Sequence, residues 1–354
     1  MGALGALVSA LVLAGGWEAR APLPVPRSEV AGARVGAAIA VVGGFLADGR
    51  NSGRVDLYSP GRNRWSRLPP LPVRVNHAMA AGAGGRLYVF GGYRVFGGTP
   101  LRTAFVLRDG RWRRLPALPS SRAAAGTAVV DGSIYVVGGV GPNGVARTML
   151  AYDLSRGRWR TLPGPTPREH LGVTAIGRAI YVVGGRVAGQ PFSLVEAWTP
   201  TSRRWRARAP LPEPRGGTAT GVAGGRIISA GAESGAGTSN AVYAYDPAGD
   251  AWHTLPSLPT ARHGLAVVGV GSTIYVIGGG PRPGLSVSTA NEALNLSRWN
   301  SFQNDASSPG CYGRCEAMAL APPALTRAAI SAIWARRGRG IAPSSAAWRH
   351  KASF

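Results

Sequence analysis

The sequence predicts an all-β protein made of six four-stranded units packed around an axis. Three observations carry this. Tryptophans at 17, 65, 112, 159, 205, 252 and 299 recur every 46 to 48 residues. A strand-like apolar run ending on glycine keeps the same beat, its last glycine at 44, 92, 139, 185, 231 and 279. Each interval holds four short Val, Ile or Tyr-rich runs between turn residues, which leaves no room for a helix.

The chain opens on an apolar stretch without charge, residues 2–15 (GALGALVSALVLAG). It is too short to span a bilayer, so no transmembrane segment is expected, but it suits the core of a secretion signal even though the usual basic residues before it are missing. It predicts a secreted or periplasmic protein whose mature chain begins near Gly15; otherwise the protein is cytoplasmic.

One unit, Arg122 to Pro163, shows the content of all. "AAAGTAVV" reads as a first strand, "DGS" as a tight turn, "IYVVGG" as a second strand, "TMLAYDL" as a third and "WRTLP" as a fourth. A single such sheet cannot bury both faces, so the units must stack on one another. The Gly-Gly pair permits positive φ and a close backbone approach; Ala230 replaces its first member in the fifth unit, so only the second position is strict. The Trp series and Tyr88, Tyr135, Tyr181 and Tyr275 are read as core between units.

The Gly-Gly pair, the "AYDP" turn at 244–247, a Trp several residues on and then "LPxLPxxR" together resemble the Kelch repeat, over residues 17 to about 296. The resemblance implies a six-bladed Kelch β-propeller at 16–297. Trp17 is followed by "EARAPLPVPR", like the stretches after Trp65 and Trp252, whereas Trp299 is followed by "NSFQNDASSPG". The N-terminal strand is therefore expected to close the last blade, whose other strands come from 264–296. Residues 298–354 lose the period, are rich in Ala, Ser and Arg, and are expected to form an irregular, disordered tail.

Lys and Arg number 40 against 16 acidic residues, for a net charge of +24, and the only lysine is Lys351. Arginine excess favours polyanionic partners, or it reflects a genome rich in G and C; nucleic acid is not expected. The arginines flanking the tryptophans read as a solvated outer rim, with a polyanion-binding belt as the sharper alternative. Cys311 and Cys315 both lie in the tail, so neither a disulfide framework nor a four-ligand zinc site staples the propeller.

In a four-stranded meander the loop leading into the first strand and the loop between the second and third emerge on one face. Those loops vary, as binding loops on a rigid scaffold do. Each lead-in loop carries an arginine: Arg27, Arg74, Arg122, Arg168, Arg215 and Arg262. These are expected to brace blade junctions and, if they converge on the channel mouth, to favour an acidic ligand group. Next to them stand Glu29, Asn76, His77, Glu169, His170 and His263, where other units have alanine or glycine. Together these twelve residues are the candidate binding set. No catalytic residue, metal or cofactor is assigned, and no Walker loop, HExxH, G-x-S-x-G or dinucleotide fingerprint stands in a supporting context.

Kelch propellers act mostly as binding modules, so the resemblance implies a non-enzymatic recognition or scaffold protein that binds a protein segment or a glycan on this face. The alternative is enzymatic, since galactose oxidase and the bacterial sialic acid mutarotases also use Kelch propellers. A copper oxidase would need a Cys-Tyr crosslink, and the propeller has no cysteine. A mutarotase needs only acid-base and anion-binding groups, which Arg168, Glu169, His170 and Glu29 could supply.

Overall fold

The computed structural model describes residues 16–297 apart from 96 and 235. The apolar start and the tail with its two cysteines lie outside the described residues. Among the described residues no helix is long and apolar enough to cross a membrane.

Six four-stranded antiparallel sheets form the blades of a propeller. Their innermost strands are Ala31–Val35, Met79–Ala83, Gly126–Val130, Gly172–Ile176, Ala219–Ala223 and Ala266–Val270. Each packs against the next and the last packs against the first. These strands are poor in bulk and rich in Ala, Gly and Thr because six of them crowd one axis; they enclose a channel of about 630 Å³. The second strands, such as Ser133–Val137 and Ala179–Val183, are buried nearly end to end, consistent with sheets covered on both faces.

Blade six is completed from the other end of the chain. Glu18–Ala19 pairs antiparallel with Asn291–Asn295, Glu18 opposite Ala293 and Ala19 opposite Glu292. The tryptophans explain why the N-terminus is held there. Trp17 is wholly buried among Leu255, Leu258, Leu294 and Leu296, and its indole N–H donates to the Pro256 carbonyl at 2.9 Å. Every other blade repeats the bond to its predecessor: Trp65 to Ala21, Trp112 to Pro69, Trp159 to Pro116, Trp205 to Pro163 and Trp252 to Ala209. Six indoles clasp six blades. The seventh, Trp299, lies outside the described residues.

The Gly-Gly pair is a point of close approach between blades. A Cβ on Gly91 would sit 2.0 Å from the carbonyl oxygen of Arg122 in the next blade, and the backbone there has φ +53. The N–H of the second glycine then donates across the junction, as Gly92 does to Arg122 at 2.9 Å.

Trp17→Ala is expected to destabilise the protein by about 3–5 kcal/mol, read as a fall in the urea unfolding midpoint. Trp159→Ala should cost less, because Trp159 is half-buried. Equal losses would show that the closing blade is held no more tightly by its tryptophan than the others.

Candidate functional site

The mouth of the channel is framed by a collar of backbone. One residue per blade adopts left-handed φ: Glu29 (49), His77 (49), Ala124 (51), His170 (52), Gly217 (68) and Gly264 (58). Each of these N–H groups after the first donates to the carbonyl of the one before it. The bonds run from His77 to Glu29 at 3.2 Å, then from Ala124 to His77, His170 to Ala124 and Gly217 to His170 at 3.0 Å, and from Gly264 to Gly217 at 3.3 Å; Val30 N–H closes the circle onto Gly264 at 3.3 Å. Left-handed φ costs a residue with a Cβ about a kcal/mol or more, and here the cooperative ring imposes it.

The residue before each collar residue pairs with the loop after the second strand: Ser28 with Phe45, Asn76 with Tyr93, Ala123 with Val140, Glu169 with Arg186, Gly216 with Glu233 and His263 with Gly280. Lead-in and second-to-third loops therefore share one face, and three side-chain positions per blade look onto the mouth.

Seven ionisable side chains use those positions to form a closed circuit. Nε2 of His77 lies 3.1 Å from Oε2 of Glu29 and 2.9 Å from Nε2 of His170. Nδ1 of His170 contacts Oε2 of Glu169. Arg186 donates to Glu169 at 2.9 Å and to Glu233 at 2.6 Å. His263 Nδ1 is 3.2 Å from both Glu233 and Glu29, which completes the loop. Gly264 makes room for it, since a Cβ there would lie 2.5 Å from Oε1 of Glu29.

Electrostatics bind the circuit together. Burial works against the Glu29 carboxylate, but His77, His263 and His170 outweigh it and hold it far below the usual range. Burial pulls His77 down to about 4 although Glu29 opposes this. Burial would lower His263 too, yet Glu29 and Glu233 outweigh it and raise it. Glu169 is lowered by His170 and Arg186 against the cost of burial. Phe45 and Tyr93 stand edge-on to His77 at 5.9 and 5.8 Å. Two sets of atoms could hold a cation, Glu29 with His77 and His170, and Glu29 with Glu233 and His263, their ligand atoms within 4.8 Å of one another.

The arginines stand elsewhere. Arg27, Arg122, Arg168, Arg215 and Arg262 are buried inside their blades. Arg27 binds the Gly43 and Arg54 carbonyls and Asp56; Arg168 binds the Gly184 carbonyl and Glu196; Arg262 binds the Gly278 carbonyl and Glu292; Arg215 binds Glu213 and the Ala241 carbonyl. The Arg122 guanidinium donates to the backbone and side chain of Thr148, and burial lowers its pKa to about 10. Arg74 is exposed, because "VRVNH" is one residue out of step and Val75 fills the slot; Gly44 N–H donates to Val75 as Gly92 does to Arg122. The expected convergence of six arginines on the mouth does not occur, and with it goes the reason to expect an acidic ligand group.

Of the candidate residues, Glu29, Asn76, His77, Glu169, His170 and His263 are brought together. Arg186 and Glu233 were missed. Arg186 is the residue that follows a Gly-Gly pair, so aligning the units at that position points to it. Glu233 stands one residue later because the strand slips register between Ala230 and Ala232.

A closed ring of blades with a polar mouth defines a β-propeller, with the candidate residues gathered at one end of its channel. Residues 119–279 match the KLHDC2/KLHL20/DRC7 Kelch-repeats domain. With that match and its six repeats, the described residues form a six-bladed propeller of the Kelch type. The human Kelch repeat and BTB domain-containing protein 12 is 32% identical over 89 residues, which are 22% of this chain and 14% of that protein, so the chain spans about a seventh of that relative. The solved structure of YjhT superposes with a TM-score of 0.67 at 18% identity, over 76% of this chain and 95% of that one, a likeness of fold.

Arg168→Ala should cost about 3–5 kcal/mol, since it strands the Glu196 carboxylate in the blade, whereas Arg74→Ala should stay within about 0.5 kcal/mol. Urea unfolding of both variants checks this; similar small effects would mean that Arg168 does not brace its blade.

Proposed function

We propose that the chain is a non-enzymatic recognition propeller that takes a segment of protein or a glycan across the collar. The observation that carries this reading is the seven-residue circuit at the channel mouth. The corresponding positions of blade 3 are Ala123, Ala124 and Val140, so the fold does not require charged groups there. Residues that folding does not need, gathered on loops over a rigid scaffold, are the usual material of a binding site.

The site's charge suits a ligand with cationic or hydrogen-bond-donating groups. Glu29, Glu169 and Glu233 face one guanidinium, that of Arg186. A pocket of about 110 Å³ under the collar, lined by Glu29, His77 and His170 among others, is large enough for a side chain tip or a hydroxyl-bearing group.

A second reading, a sugar mutarotase, is favoured by one specific contact. Glu169 touches His170, and an acid and a base side by side are what opening and reclosing a sugar ring requires.

Glu169→Ala with His170→Ala recreates the Arg-Ala-Ala sequence of blade 3. It should leave the melting temperature within a few degrees while weakening capture on peptide and glycan arrays by about 30-fold or more, a hot-spot loss. Undiminished capture would move the site away from the mouth. Anomer exchange followed by NMR on added sialic acids separates the readings: none is expected for a recognition module, and exchange slowed by orders of magnitude in the double variant would establish the enzyme.

A further inference from the structure

Glu29, His77 and His170 meet with their electron-pair donors turned toward one another, and a chain of hydrogen bonds fixes this orientation. The Asn51 amide donates to the Tyr93 and Arg94 carbonyls at 3.2 and 2.6 Å, which leaves its Oδ1 facing Asn76. Asn76 must then present its NH₂ to that oxygen, at 2.6 Å, and its own Oδ1 to Nδ1 of His77, also at 2.6 Å. An amide oxygen only accepts, so the neutral imidazole carries its proton on Nδ1. Nδ1 of His170 faces the Glu169 carboxylate, which likewise only accepts. With both rings neutral, each therefore turns an Nε2 lone pair toward the other at 2.9 Å, and Oε2 of Glu29 lies 3.1 Å from the His77 nitrogen. Electron pairs this close repel unless a cation lies among them.

We propose that Glu29, His77 and His170 form a binding site for one borderline divalent metal ion, with zinc the ion it suits best. Two imidazole nitrogens and one carboxylate oxygen are a zinc-type donor set; magnesium and calcium prefer all-oxygen cages. Histidines that bind metal ordinarily donate their other N–H to a carboxylate or carbonyl, as these do to Glu169 and Asn76. Tetrahedral bonds of about 2.0–2.1 Å place ligand atoms about 3.3 Å apart, so the His77–His170 and His77–Glu29 pairs, at 2.9 and 3.1 Å, need open only a few tenths of an ångström. The collar holds all three backbones in place. A dication also offsets the surplus of carboxylates around the mouth. All three donors line the pocket of about 110 Å³, which leaves space beside the ion for water or a ligand donor. This goes beyond recognition, since the ion is held by three side chains whether or not a macromolecule covers them.

The test uses the full chain with Cys311→Ser and Cys315→Ser, so that no sulfur competes, stripped with a chelator and titrated calorimetrically with zinc alone. One zinc per chain is expected, and cobalt in its place should give a tetrahedral nitrogen and oxygen spectrum. His77→Ala and His170→Ala should each weaken zinc binding by about a hundredfold or more, and Asn76→Ala by about tenfold to a hundredfold. Ala124 occupies the same collar position in blade 3, so alanine is compatible with the fold; melting curves without zinc verify that each variant is folded. No stoichiometric zinc binding, or binding that both histidine variants leave unchanged, overturns the site. No peptide or glycan is present, so this failure is distinct from a failure of the recognition reading.

Discussion

Closure of the ring is the constraint on which the rest of the structure depends. A four-stranded sheet has two faces to cover, and in a propeller each blade covers its neighbour only if the last reaches the first. Here the described residues begin and finish in blade six, where Glu18–Ala19 pairs with Asn291–Asn295. Trp17 adds a wholly buried indole and a hydrogen bond to blade five, so the joint has the same clasp as the five junctions formed by continuous chain. Ends separated by more than 250 residues carry a loop-closure cost that these contacts must offset.

The same closure separates what the backbone must do from what the side chains are able to do. The collar is made of N–H and C=O groups in left-handed conformation, and residues as different as glutamate, histidine, alanine and glycine occupy it. The arginines one level deeper have the opposite character. Arg27, Arg168 and Arg262 each satisfy a glycine-turn carbonyl and a carboxylate of the same blade. Side chains on the collar are therefore open to exchange at small cost to the fold, whereas the buried arginines are not.

Most of the architecture was legible in the sequence because a repeat multiplies weak signals: one Gly-Gly run is ambiguous, six at one period are not. Trp17 was recognisable as the start of the closing strand because its following residues matched those after Trp65 and Trp252. The site was only half legible. Glu29, His77, His170 and His263 stood out as departures from the repeat, whereas Arg186 and Glu233 stand just past the glycine turn in stretches that differ from blade to blade, and a one-residue slip near Ala230 hid the second of them. Arg74 misled for the same reason in reverse: it carries the repeated residue type one position from the repeated place. Direction was the other missing quantity: the arginines were expected to brace blade junctions, but whether they also reached the mouth could not be read until the carbonyls they point toward were known.

Site and closure are physically one problem. The circuit takes Glu29 from blade one, His77 from blade two, Glu169, His170 and Arg186 from blade four, Glu233 from blade five and His263 from blade six. Its most demanding junction is between Glu29 and His263, residues far apart in the chain that meet only where the ring is sealed. A blade that loosened at this seam would move Glu29 away from His263 and take a donor from the atoms gathered at the mouth. The wholly buried indole and the strand pairing of blade six stand behind this junction, and the close contacts of the circuit depend on both.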